Sequence, residues 1–103
     1  MKLTVVAGDV PQAATLALAG EFDLATTGGF EEKVDELVEA GVSHLTVDLS
    51  ELTFCDSVGL NGLVRSKQRC EERGGWLRVS GARGQVAHVI GVAGLLGVFA
   101  ADD

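Results

Sequence analysis

Apolar and polar positions along this chain change period several times, and each change marks an element. Leu3 to Ala7 is a short β-prone run, and Gly8-Asp9-Val10-Pro11-Gln12 reads as a turn. Ala14 to Ala19 alternates, with Leu16 and Leu18 on one face, and stops at Gly20. Residues 3–19 therefore read as two strands of a hairpin. Glu21-Phe22-Asp23 then links the second strand to a helix, in which Phe30, Val34, Leu37 and Val38 form one stripe of a 3.6-residue period. Glu31, Glu32, Lys33, Asp35, Glu36 and Glu39 cover its other faces. Asp23, Thr26 or Thr27 can cap the start, and Gly41 ends it.

The alternation resumes from Val42 to Leu49, with Leu45, Val47 and Leu49 facing one way and Thr46 and Asp48 the other. A strand that follows an amphipathic helix predicts a parallel βαβ unit. Leu60, Leu63, Val64 and Cys70 lie near helical spacing, and Gly74-Gly75 closes that second helix. Trp76 to Ser80 reads as a strand with Leu77 and Val79 alternating. Val86, Val89 and Ile90 make a short third helix ending near Gly91, and Leu95-Leu96 with Val98-Phe99 predict a last strand. The order β-β-α-β-α-β-α-β gives an α/β fold, a mostly parallel central sheet led by an antiparallel hairpin and covered by helices.

Length changes this picture little: 103 residues are read as one domain, residues 1–103, able to bury a modest core. Charge adds more. The net charge of −7 argues against a nucleic-acid binder or an anionic-membrane binder, both of which need a positive field. Cys55 and Cys70 are not spaced as a CxxC pair and read as small buried hydrophobes in a reducing cytoplasm. With only His44 and His88 and no cysteine cluster, no metal site is expected. The start has no signal-peptide layout, and no run approaches the roughly 20 apolar residues of a membrane span.

Enzymatic motifs are missing too. No serine sits in a GxSxG elbow, and neither a GxxxxGK[ST] phosphate loop nor a GxGxxG turn occurs. A non-enzymatic protein without a cofactor is expected. One junction does carry chemistry. Phe54-Cys55-Asp56-Ser57-Val58-Gly59-Leu60 passes from an apolar approach directly into a helix, so Asp56 or Ser57 caps that helix. A phosphate on Ser57 would meet free backbone N–H groups and the positive end of the helix dipole, and would add roughly −1.5 to −2 charges beside Asp56. That is the layout of a charge switch. In a parallel sheet the loops after successive strands gather at the carboxyl edge, which makes Asp23 a neighbour of Asp56-Ser57. Asp23 could then orient the serine hydroxyl or set the local charge, or simply cap the first helix.

Four segments together resemble a known family. They are Gly20-Glu21-Phe22-Asp23, Leu49 to Leu60, Gly74-Gly75 before a strand, and Val92-Ala93-Gly94-Leu95-Leu96-Gly97-Val98-Phe99. Their order and spacing resemble the bacterial anti-sigma-factor antagonists of the sporulation and general-stress type, which are single STAS domains. The resemblance implies the fold read above. It also implies a function: binding an anti-sigma factor and so freeing a sigma factor. It implies that this partner is a serine kinase, that the phospho-acceptor is the first serine after the aspartate, here Ser57, and that a phosphoserine phosphatase reverses the mark. Asp23 matches the family aspartate near that site. Many members carry a second serine or a small residue where Val58 stands, and typical members continue into a closing helix beyond the last strand expected here. The partner surface expected on this basis is the carboxyl edge with the start of the second helix: Asp23, Thr26, Ser57, Val58, Gly59, Leu60 and Asn61. An alternative is a STAS subunit of an ABC-type membrane transport assembly or of a stress-sensing scaffold. A nucleotide-directed enzyme is weaker, for want of a phosphate loop.

Overall fold

The computed structural model describes residues 1–94. In chain order the elements are β1 (Lys2–Ala7), β2 (Ala13–Phe22), α1 (Thr27–Glu39), β3 (His44–Cys55), α2 (Ser57–Glu72), β4 (Trp76–Ser80) and α3 (Gly84–Val92). The strands form one sheet in the order β1-β2-β3-β4. β1 and β2 are the expected antiparallel hairpin, while β2/β3 and β3/β4 are parallel. The strand expected over Leu95–Phe99 lies outside the described residues.

The apolar alternation sets which face is covered. Ala14, Leu45 and Leu77 stand side by side in register, as do Leu16 and Val47, and all are buried. They form a single core with Phe30, Val34 and Val38 of α1, Leu60, Leu63 and Cys70 of α2, and Val86 and Ile90 of α3. The three helices thus share one core against the same sheet face, as right-handed crossovers between neighbouring strands require for α1 and α2. Phe22 and Phe30 meet in a tilted pair with ring centroids 4.9 Å apart. On the other face Thr15, Thr46 and Arg78 share a row, next to the row of Ala13, His44 and Trp76. There the Arg78 guanidinium lies 3.6 Å over the Trp76 ring, and His44 meets that ring edge-on.

α1 and α2 lie alongside each other and are joined at four-residue steps. Arg65 pairs with Glu31, Arg69 with Asp35, and Arg73 with Glu39. Each pair is largely solvated and contributes little alone.

Two strands are longer than the alternation indicates. Glu21-Phe22 was expected to link β2 to α1, yet β2 runs to Phe22; β3 was expected to end at Leu49, yet it runs to Cys55. The two extensions pair with each other, through register shifts at Ala17/Ala19 and Gly20/Glu21. Each shift breaks the two-residue period, which is the signal that defines a strand in sequence. Gly20, at φ +109°, supplies the backbone turn that side-chain-bearing residues avoid.

Candidate partner-binding and modification site

β2 and β3 end together, with Phe22 opposite Cys55 as the last registered pair. The chain leaves the sheet at Asp23 on one strand and Asp56 on the other. The Asp56 N–H donates to the Phe22 carbonyl at 3.2 Å, so both exits are held side by side. The neighbourhood expected of Asp23 and Asp56-Ser57 is therefore present, across a sequence separation that only the parallel sheet removes.

Asp56 is the N-cap of α2. It is extended (φ −103°, ψ −177°), and its Oδ1 accepts from the Gly59 N–H at 2.9 Å. Ser57 is the first helical residue and is exposed. Val58 is half-buried, and Asn61, one turn on, is exposed. Gly59 and Leu60 point the other way and are buried. A methyl group on Gly59 would stand 2.6 Å from the Phe22 carbonyl oxygen, so the missing side chain is what lets α2 approach the end of β2. Gly62, one turn further, lies in the same way over the buried Thr27. The available surface is thus Ser57, Val58 and Asn61, with Gly59 and Leu60 fastening them to the core.

Asp23 belongs to its own loop. Its Oδ1 accepts from the Ala25 N–H at 3.0 Å and lies 3.3 Å from the Thr26 hydroxyl. Thr26 Oγ1 in turn accepts from the Asp23 N–H and donates to the Glu21 carbonyl, both at 2.9 Å. In this clasp the Ala25 N–H engages one carboxylate oxygen, Oδ1, and the exit beside Asp56 brings the Asp23 charge to the same sheet edge as Ser57. Thr26 is the N-cap of α1 by position but gives α1 no side-chain cap hydrogen bond, because its hydroxyl serves the clasp. The clasp leaves Leu24, between them, 75% exposed.

Two residues that the sequence reading passed over shape this corner. One is Leu24, an apolar residue in a polar linker. The other is Gln85 of α3. Its side-chain amide grips both backbone groups of Cys55, accepting from the N–H at 2.9 Å and donating to the carbonyl at 2.8 Å. β4 has already ended opposite Asp48, so Gln85 takes the place of a strand there. Nothing local to Gln85 signals this, since its partner is 30 residues away. The Cys55 thiol itself is buried, and burial, with the Asp56 charge adding, pushes its pKa up to about 11. It is not a nucleophile in this setting. Among the described residues no group of three or more His, Cys, Asp or Glu side chains is placed to hold a metal ion. No helix among them is long and apolar enough to cross a membrane.

The chain is 36% identical over 67 residues to the anti-sigma-F factor antagonist RsfB of Mycobacterium tuberculosis; the match covers 65% of this chain and 55% of that protein, so little more than half of the relative's length is spanned. An anti-sigma factor antagonist from Mycobacterium paratuberculosis superposes with a TM-score of 0.74 at 25% identity, covering 95% of this chain and 83% of that one. Unphosphorylated SpoIIAA of Bacillus, also an anti-sigma factor antagonist, superposes at 0.82 over 99% of this chain and 88% of its own, at 18% identity, which shows a shared fold. Residues 6–99 match the family described as Mlab, STAS domain, and with the mixed sheet, the helix layer and the loop-to-helix junction in place, the chain belongs to the STAS domain family.

Proposed function

We propose that this chain is an anti-sigma-factor antagonist: it binds an anti-sigma factor, which is a serine kinase, and thereby frees a sigma factor, until phosphorylation of Ser57 ends the binding. A phosphoserine phosphatase resets it, and the cycle runs in the cytoplasm. The observation that carries this reading is the position of Ser57, exposed at the first residue of α2, directly after its cap Asp56 and beside the Asp23 loop. The naming of RsfB as an anti-sigma-F factor antagonist supports it. The surface that binds is Asp23, Thr26, Ser57, Val58 and Asn61, held by Gly59 and Leu60.

The chemistry of the switch follows from charge. A serine hydroxyl is small and fits a packed interface with one hydrogen bond. A phosphate adds bulk and up to two charges next to Asp56 and Asp23, and must be desolvated if a partner closes over it. A kinase site carries acidic groups for magnesium and holds nucleotide phosphates, so like charges meet across the contact. A cost of about 3 kcal/mol weakens affinity by roughly two orders of magnitude. The helix N-terminus favours the anion by only about 0.3–1 kcal/mol, so the fold need not change.

The test is recovery of the partner from cell extract with wild type, Ser57→Ala and Ser57→Asp, then calorimetry of the three forms. Ser57→Ala is expected to bind and never to switch off, and Ser57→Asp to bind substantially more weakly. Equal binding by the two variants overturns the electrostatic switch. Recovery of a transport ATPase in place of a kinase replaces this reading with that of a transport subunit.

A further inference from the structure

β1 is the outer strand of the sheet. It pairs with β2 on one side, and among the described residues no strand lies on its other side. The free N–H and C=O groups of such an edge are a template for another strand, and soluble proteins blunt them with charge, proline, bulges or cover. β1 has little of this protection. Its register with β2 runs without a break from Lys2↔Ala19 to Ala7↔Ala14. It contains no proline, and Lys2 is its one charge. Val5 is 42% and Val6 55% exposed, in mid-strand and on opposite faces.

Charge points to the occupant. The chain carries −7 overall, yet residues 1–20 hold one lysine and one aspartate, so β1, its turn and the facing part of β2 have no net charge and the whole excess lies beyond them. Lys2 is the one charge this edge offers to a charged partner. A second copy brings the same valine-bearing strand, with its own excess charge held away from the contact. We infer that β1 is a self-association surface, on which two copies join edge to edge about a two-fold axis perpendicular to the sheet. That axis makes the strands antiparallel and the contact self-complementary. Residues opposed across an antiparallel pair share a face, so the axis passes through a residue and not between two. Centred on Thr4, it sets Leu3 against Val5 on the helix side and Lys2 against Val6 on the open side. The two lysines then stand at opposite ends, and each lysine stem lies along a valine.

An edge contact of this length buries less than the roughly 1,200 Å² of a stable interface, which sets a weak, concentration-dependent dimer. Sedimentation of the full chain is expected to show the mass rising from 10.7 kDa toward twice that value between about 5 µM and about 500 µM. Val5→Lys and Val6→Lys are each expected to raise the midpoint concentration at least about tenfold, the first by setting a charge against the apolar Leu3 and the second by placing a lysine opposite Lys2. Leu24→Lys, in the loop after β2 and outside β1, is expected to leave it unchanged. Amide exchange in β1 of the wild type, which needs no variant, is expected to slow as concentration rises. A mass fixed at the monomer value over the whole range overturns the inference. So does association that survives both valine substitutions, or that is lost with Leu24→Lys.

Discussion

Gln85 reaches from the first turn of α3 to hold the N–H and the carbonyl of Cys55 at 2.9 and 2.8 Å, one residue before the cap of α2. A side-chain amide thus completes the outer edge of β3 where β4 no longer reaches, and fixes the strand end from which Asp56 and Ser57 depart. Gln85→Ala leaves the Cys55 N–H without that acceptor and is expected to cost about 1–2 kcal/mol by urea denaturation. Amide shifts should spread to residues 55–60. A loss below about 0.3 kcal/mol, with no shifts beyond residue 85, would show that the bidentate bond positions nothing.

Glycines at helix starts divide by what a methyl group would meet. At Gly59 it would stand 2.6 Å from the Phe22 carbonyl oxygen, a backbone atom fixed by the sheet. At Gly28, in the first turn of α1, a methyl group would meet no atom within 4 Å beyond its chain neighbours and its own helix backbone. Gly59→Ala is therefore expected to lose about 1–3 kcal/mol in spite of alanine's better helix propensity. Gly28→Ala is expected to gain about 0.5–1 kcal/mol. Thermal melts of the two variants check the pair, and a stabilised Gly59→Ala would contradict the close approach of α2 to β2.

Burial pushes the thiols of Cys55 and Cys70 up to about 11. At pH 8 roughly a thousandth of each is thiolate, and both side chains are enclosed in the core. Ellman's reagent is expected to leave both unreacted in the native protein and to modify both once denaturant is added. Rapid labelling of either thiol in the native state would show that the corresponding strand or helix opens.

The hydrogen bond from Arg65 holds the Glu31 carboxyl below the usual carboxylate range, against a smaller opposing effect of burial and with Coulomb attraction to Arg65 adding. A carboxyl depressed in the folded state stabilises at pH values above its unfolded pKa, and that contribution is lost as pH falls through the folded value. Glu31→Gln is expected to lower stability near neutrality, where that contribution is fully present, and to converge with wild type as the pH falls below about 4, so that the acid limb is flatter. Added salt should narrow the difference between the two proteins, since the pair is solvated. An acid limb identical in wild type and variant would remove Glu31 from the linkage.

The periodic stretches of the chain determined much by themselves. The 3.6-residue stripe of Phe30, Val34 and Val38, the alternation of Leu45, Val47 and Leu49, and the aspartate before an apolar helix at Asp56 each state a local preference that the fold keeps. These signals suffice for the hairpin, three helices and four strands, and for placing Ser57 at a helix start. What the tertiary structure decided lies where local periodicity fails or where partners are distant. The last residues of β2 and β3 are strands only because each is the other's neighbour, through register shifts that erase the two-residue period. Asp23 and Asp56, far apart in sequence, leave the sheet side by side only because β2 and β3 pair in parallel and end together. Gln85 and Cys55 become partners only when β4 stops short and α3 turns over the exposed edge of β3. Sequence fixes what each segment prefers within a turn or a pleat; hydrogen bonds between segments 30 or more residues apart depend on how the layers meet, and that information is carried by no single window of the chain.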